Sequence, residues 1–276
     1  MSNPASNWLE QLFLLEGRTA IVAGGAGVIG TVMAGALLKA GANVAVWSRT
    51  RESLDRALEQ LTAETGGADR LAGFQVDTGD EEKVTQALRD TAARWTPPSI
   101  LINAVGGNRG KGPFIATDTA QFEEILRLNL LAGLVIPTKV VAAFWIDKGI
   151  RGSIINLTSM TSYTPLSGVW GYDAAKAGVL SLTQATANEF ARYGIRVNAI
   201  APGFFLGKQN KALLVDEETG DYTPRGQAVI ARTPFGRFGA PEELAGATLF
   251  LASEKASGFV TGVSIPVDGG YLIHNI

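Results

Sequence analysis

Apolar positions in this chain fall into short unbroken runs separated by longer stretches of helical spacing. Thr19-Ala20-Ile21-Val22-Ala23, Asn43-Val44-Ala45-Val46-Trp47, Leu71 to Val76, Ile100-Leu101-Ile102, Ser153 to Leu157, Ile195 to Ile200 and Val263 to Val267 read as strands. Between them, helical spacing runs through Met33, Ala36, Leu37 and Leu38 to Gly41, and then through 52–65 and 80–95. It continues through 118–148, as one long or broken helix containing Asn129, then from Tyr172 to about Tyr193 and through 241–252. Pro241 suits the first turn of the last of these. Asp80, Glu81 and Glu82 fit the charge that a helix N-terminus favours better than they fit a metal site. Strands alternating with helices predict a parallel sheet covered by helices. Without a linker or an internal repeat, residues 1–276 read as one doubly wound α/β domain with a sheet of about seven strands. Residues 203–235 break the rhythm with Gly207, Gly220, Pro224, Gly226 and Pro234, and a long irregular segment in a compact domain is commonly a functional lid. Near the start, Trp8, Leu9, Leu12, Phe13 and Leu15 predict a short helical segment packed on the domain.

Composition narrows the chemistry. Hydrophobic residues make up 46% and charged ones 18%, enough for a sizeable core. A formal charge of −2 without a dense Lys/Arg run argues against a nucleic-acid surface. There is no cysteine, hence no disulfide framework and no thiolate chemistry. His274 is the only histidine, so the usual zinc ligands are missing and no metal site is expected. A serine–histidine hydrolase would have to rely on that one residue beside the C-terminus. Residues 1–16 lack the basic start and cleavage site of a signal peptide. The longest apolar run, Leu130 to Ile146, contains Pro137 and Lys139 and is short for a membrane span. It reads as a buried helix at a subunit contact. A soluble cytoplasmic protein with no membrane or nucleic-acid partner is therefore expected.

The strand ends carry the candidate chemistry. After the first strand comes Gly24-Gly25-Ala26-Gly27-Val28-Ile29-Gly30, in which Gly25, Gly27 and Gly30 match G-x-G-x-x-G between a strand and a helix. Glycines let a backbone approach a pyrophosphate, and the helix N-terminus favours its charge. An ordinary tight turn is the competing reading. After the second strand, where an acid usually holds the ribose of NAD, stands Ser48-Arg49-Thr50-Arg51. Arginine there suits the 2′-phosphate of NADP; the alternatives are NAD, or arginines that are simply solvated. Gly24, Ser48, Asp77, Asn103 and Ser159 all follow strands, where ligands of open parallel sheets bind. Thirteen residues beyond Ser159, Tyr172 opens a helix on which Lys176 lies one turn on, on the same face. A phenol is a poor acid or base near neutrality, and a neighbouring ammonium favours its ionised form. A serine hydroxyl can bond an oxygen on which charge develops.

Together these features resemble the short-chain dehydrogenase/reductase family along nearly the whole chain. The residues that carry the resemblance are Gly24 to Gly30, Asp77, Asn103-Ala104-Val105-Gly106, Asn129, Ser159, Tyr172, Lys176 and Pro202-Gly203. The resemblance implies a Rossmann fold and a nicotinamide cofactor. It makes Tyr172 the acid/base, with Ser159 orienting the substrate oxygen. Lys176 would lower the tyrosine pKa and hold the nicotinamide ribose, and Asn129 would support a water-linked proton path. Gly24, Gly25, Gly27, Val28, Ile29, Ser48, Arg49, Asp77, Thr78, Asn103, Ala104, Pro202 and Gly203 would contact the cofactor, Asp77 at its adenine. A homotetramer is also implied.

The chain departs from the family pattern at Ala23, Val28, Ala104 and Gly207, which stand where Thr, Gly, Asn and Thr are usual; no catalytic group is lost. A narrower resemblance, to the D-mannonate oxidoreductase (fructuronate reductase) subgroup, rests on Gly106-Gly107-Asn108, Ala201 to Leu206, Gln209-Asn210 and Thr233 to Gly239. It implies a sugar-acid substrate bound by Asn108, Ser159, Met160, Gln209 and Asn210. A neutral keto sugar, polyol or other carbonyl is the alternative substrate, and a non-catalytic dinucleotide sensor the alternative class.

Overall fold

The computed structural model describes residues 4–206, 214–216 and 219–275. Seven strands form one parallel sheet: β1 (Thr19–Ala23), β2 (Asn43–Ser48), β3 (Leu71–Gln75), β4 (Ile100–Asn103), β5 (Ser153–Leu157), β6 (Arg196–Pro202) and β7 (Ser264–Val267). Their order is β3-β2-β1-β4-β5-β6-β7. Chain direction across the sheet reverses between β1 and β4, which opens a crevice beyond the carboxyl ends of the strands.

Successive strand residues face opposite sides, and both sides are covered. Val22, Val44, Ile102 and Ile155 pack with Met33, Leu37, Leu38 and Leu61 from helices α2 (Val28–Lys39) and α3 (Arg51–Thr65). Their neighbours Ile21, Ala45, Leu101 and Ile154 turn to the other side. There they meet Val84 and Leu88 of α4 (Glu81–Arg94), Val141 and Trp145 of α6 (Ile136–Lys148) and Ala187 of α7 (Trp170–Phe190). The acidic trio acts as its sequence position predicts. Asp80 caps α4 by accepting from the backbone N–H groups of Glu82 and Lys83, and these bonds hold its carboxyl below the usual range.

One expectation is resolved and two are modified. The 118–148 region is broken into α5 (Thr119–Leu126), a π-helical segment Arg127–Val135 and α6. By length and composition, the stretch Thr119–Lys148 is apolar enough to cross a membrane; 50% of its most apolar window is buried in the domain, as in a core helix. The first segment is helical, α1 (Pro4–Phe13), but Trp8 and Leu9 are exposed and Leu15 is the residue that inserts. Its end is tied down where the Ser253 hydroxyl donates to the Leu12 carbonyl.

The 203–235 segment is more regular than its Gly and Pro content indicates. Helix α8 (Pro224–Ala231) starts at Thr223, whose hydroxyl accepts from Gly226 N at 3.1 Å. Leu214, Val215 and Val229 bury themselves with Phe238, and Phe204, Leu206 and Ile230 pack alongside, as a small core separate from the sheet's two.

Candidate active site

At the carboxyl end of β1 the chain turns sharply and enters α2. Gly24 has φ +77°, and a Cβ there would lie 2.7 Å from the Ala104 carbonyl carbon. A Cβ on Gly30 would stand 2.3 Å from the Gly24 carbonyl oxygen, and one on Gly25 would stand 2.9 Å from that of Val22. The Thr31 hydroxyl donates to the Gly25 carbonyl at 2.9 Å and fixes the turn. Gly27 is different, since its φ is −82° and an added Cβ would meet nothing closer than 3.4 Å. The glycine requirement therefore falls on Gly24, Gly25 and Gly30, not on the Gly25, Gly27 and Gly30 of the motif. The first N–H groups of α2, from Val28 and Ile29, lack intrahelical partners and lie at a cavity of about 310 Å³. A cradle that side chains would fill, at a helix N-terminus, fits a dinucleotide pyrophosphate.

The same cavity is lined by Ala104, Ser159, Tyr172, Lys176, Pro202 and Gly203. Ser159 follows β5 and caps the short turn Met160–Ser162, accepting from Thr161 N at 3.2 Å. The Ser162 hydroxyl donates to the Lys176 carbonyl at 2.7 Å, which ties that turn to α7. Lys176 Nζ donates to the Leu157 carbonyl at 2.7 Å and stands 5.7 Å from the centroid of the Tyr172 ring. Burial with a single neutral acceptor depresses its pKa to about 8. The Tyr172 phenol is raised above its ordinary value, chiefly by burial; the neighbouring Ser159 hydroxyl pulls it down and the Asp173 charge pushes it up. The expected lowering of the phenol by Lys176 is not found, and burial raises the phenol instead. Desolvation acts on both groups, and it also reduces the charge on the lysine that was to do the lowering.

Asn129 lies in the π-helical segment and is fully buried. Its amide donates to the Gly107 carbonyl at 2.7 Å and accepts from Gly107 N at 2.9 Å, holding the loop after β4 against the cavity. A Cβ on Gly106 would meet Asn129 Oδ1 at 2.6 Å and Lys176 Nζ at 3.4 Å, so the loop fits between these two side chains only as glycine.

Other predicted residues are distributed around this centre. Arg49 and Asp77 line a neighbouring cleft of about 230 Å³ with Arg109, Arg127 and Ala132. Ser48 is buried at the end of β2, and Thr78 is buried beside Asp77. Asn103 does not face the cavity. Its amide donates to Asn156 Oδ1 at 2.8 Å and to Thr138 Oγ1 at 2.9 Å, and Asn156 donates on to Thr183 Oγ1 at 2.9 Å. This buried ladder pins β4, β5, α6 and α7 together, so the side chain placed at the cofactor by its strand-end position is a strut beneath the cavity. Met160 is buried under the turn after Ser159 and does not line the cavity either. Asn108 borders a separate cleft of about 180 Å³ with Arg109, Lys111, Gln121 and Trp170. Gln209 and Asn210 lie outside the described residues, as do Lys208 and Gly207.

One contributor went unnamed in the sequence reading, and two were named only within the segment Ala201 to Leu206 that carries the narrower resemblance. Thr158 lines the cavity and bonds the Ile200 carbonyl at 3.0 Å and Ser264 Oγ at 2.9 Å, joining β5 to β6 and β7. Phe204 and Phe205 form the wall beyond Gly203, a signal available in the aromatic pair after Pro202-Gly203.

The reversal of strand order, the glycine cradle and the tyrosine–lysine pair together define a dinucleotide-dependent oxidoreductase of one fold family, and comparison with known proteins agrees. Residues 24–272 match the family described as Enoyl-(Acyl carrier protein) reductase. The gluconate 5-dehydrogenase of Gluconobacter oxydans (strain 621H) is 35% identical over 95% of this chain and 97% of its own. A candidate D-mannonate oxidoreductase of Haemophilus influenza, solved with bound NAD, superposes with a TM-score of 0.87 at 34% identity, covering 97% of this chain and 99% of that one. A candidate 2-deoxy-D-gluconate 3-dehydrogenase of Agrobacterium tumefaciens, solved with bound NADP, gives a TM-score of 0.83 at 33% identity over 95% and 99% of the two chains. The chain belongs to the short-chain dehydrogenase/reductase family and is a nicotinamide-dependent enzyme.

Proposed function

We propose that this enzyme interconverts the carbonyl and secondary alcohol of a sugar acid, with D-fructuronate and D-mannonate as the pair, through Ser159, Tyr172 and Lys176. The observation that carries the reading is the convergence of these three side chains, from β5 and α7, on the cavity headed by the glycine cradle. Gly24 to Ile29, Pro202 and Gly203 would hold the cofactor, which when bound supplies or accepts a hydride. The Ser159 hydroxyl donates to the substrate oxygen and fixes its position. The Tyr172 phenol gives its proton to that oxygen in reduction and receives it back in oxidation, and for either step its raised pKa has to fall toward the working pH. Lys176 stays close to the phenol with Nζ anchored on Leu157. A charged cofactor or an ionised phenol would favour its ammonium form and lift its pKa from about 8. Asn129 keeps the 106–107 loop in place beneath the reacting groups.

Two supports point to the substrate. The relatives named above carry sugar-acid names, and the loop after β4, whose Gly106 and Gly107 line the catalytic cavity, continues into Asn108, Arg109 and Lys111, donors suited to a carboxylate and hydroxyls in a cleft shared with Asp118. A site built to pair with a polar group rejects an analogue that lacks it. The enzyme should therefore reduce the uronate far better than the corresponding neutral ketohexose, measured as kcat/KM with NADPH. Equal rates would hand the reading to the neutral keto sugars.

For the cofactor we propose NADP over NAD, because Arg49 lines the neighbouring cleft with Arg109 and Arg127 against Asp77 and Glu124, and the residues after β2, Ser48-Arg49-Thr50-Arg51, include no acid. A kcat/KM favouring NAD would reverse this. A cytoplasmic homotetramer is part of the same proposal, tested by cell fractionation and by mass in solution.

A further inference from the structure

A cavity of about 580 Å³ lies away from the cofactor cradle. It lies at the opposite edge of the sheet, where β1, β4, β5 and β6 begin, and its size is in the range of about 300–1,000 Å³ typical of small-molecule sites. Arg18, Arg151, Arg196 and Lys255 line it against only two carboxylates, Glu16 and Glu254. Glu254 is shared, 2.8 Å from Arg151 and 3.7 Å from Arg18, so neither guanidinium has an acid of its own. Arg196 is buried, and its bonds go to neutral oxygens, Ser257 Oγ at 3.0 Å and the Leu251 carbonyl at 2.9 Å. Among the described residues no carboxylate lies within 4.0 Å of it. A guanidinium stays charged even when buried, at a desolvation cost that Glu254, already shared by Arg18 and Arg151, offsets only from beyond ion-pair distance. An anion in the cavity would offset that cost. The rim has another character: Phe259 is fully exposed and Leu14 half-exposed, both beside the charged wall.

We propose that this cavity binds a small phosphorylated metabolite, its phosphate among Arg18, Arg151 and Arg196 and its carbon portion against Phe259 and Leu14. Planar guanidinium forks match a phosphate's oxygens bidentately, which a solvated lysine cluster does not. The position excludes overlap with the catalytic cavity, because the two sit at opposite ends of the same four strands. The inference does not depend on which substrate the enzyme uses.

The test uses full-length enzyme saturated with dinucleotide, so that phosphate positions in the catalytic cavity are already taken. Phenyl phosphate and inorganic phosphate are titrated at constant ionic strength, followed by calorimetry and thermal unfolding. Phenyl phosphate should bind at one site per chain, about fivefold tighter than inorganic phosphate because of its buried ring. At a hundredfold excess over its dissociation constant it should raise Tm by about 5 °C. Arg18→Ala with Arg151→Ala should abolish the shift and leave kcat unchanged, and Phe259→Ser should reduce phenyl phosphate to the affinity of inorganic phosphate. Glu254→Gln frees two guanidinia and should tighten binding, which keeps the idea falsifiable if the double variant folds poorly. Absence of saturable binding, or a shift that survives the double variant, would leave the arginines as partners of Glu254, Ser99 and Ser257 alone and overturn the proposal.

Discussion

The two ends of the sheet are built from opposite materials. At the carboxyl ends the cavity is made by glycines and backbone, and the charged side chain drawn into it, Lys176, is buried with a depressed pKa. At the amino ends the cavity is larger and walled by arginines, most of them solvated and sharing one acid. On the proposed function, size and charge therefore do not mark the reacting site in this molecule. Close backbone approach and desolvated titratable groups do, because both are costly to fold and persist where a ligand or reaction requires them.

The sharpest way to break that comparison is Tyr172→Phe. Loss of the phenol oxygen alone should lower kcat by about 10²–10⁴-fold, with the dinucleotide dissociation constant nearly unchanged. A variant with wild-type kcat would mean that the carboxyl-end cavity holds no proton donor at this residue. Next is Ser48→Asp, which sets a carboxylate where a 2′-phosphate would lie. Loss of charge-assisted bonds of about 1.5–3 kcal/mol should shift the NADP:NAD ratio of kcat/KM by ten- to a hundredfold. Gly24→Ala tests the cradle itself. With φ +77° and a backbone clash at 2.7 Å, it should cost more than about 1 kcal/mol of stability and weaken dinucleotide binding, read by urea unfolding and fluorescence titration.

Lys176 gives a pH-resolved test. Its folded pKa of about 8 lies below its ordinary value of 10.5, so between these limits the unfolded chain holds a proton that the folded one has released. Its contribution to stability should therefore rise with pH across that window, and the cost of burying its charge is fully present below about pH 8. The difference in unfolding free energy between wild type and Lys176→Met, followed from pH 7 to 10, isolates this slope. A flat difference would show that the lysine keeps its ordinary pKa. The smallest effect is expected at the other end of the sheet, where Glu254→Gln removes two exposed ion pairs worth less than about 1 kcal/mol and should leave kcat untouched.

Much of this was legible in the sequence, for identifiable reasons. Short apolar runs separated by helical spacing gave seven strands with errors of one or two residues at their ends, and chain order at the strand ends brought Ser159, Tyr172 and Lys176 to one cavity. The direction of Asn103 was hidden because β4 is buried on both faces, which leaves no polar alternation to say which way a residue turns. The π-helical segment around Asn129 has no periodicity distinct from the α-helices on either side. The glycine motif named the turn but not its demands, since Gly24 and Gly27 read alike as letters and differ in φ by about 160°. Lys176 was expected to act on the tyrosine, while the burial that acts on the lysine itself is a property of packing.

The small core made by Leu214, Val215, Val229 and Phe238 has a kinetic consequence. Among the described residues it holds far fewer buried side chains than either face of the sheet, so opening it should cost a fraction of the global unfolding free energy. Amide protons of α8 should exchange with solvent deuterium through this local opening, at rates that barely respond to mild denaturant. Amides of β4 and β5, locked by the Asn103–Asn156–Thr183 ladder, should exchange only through global unfolding and so accelerate steeply with denaturant. Helix α8 and the central strands would then behave as two cooperative units, one able to open many times during the lifetime of the other.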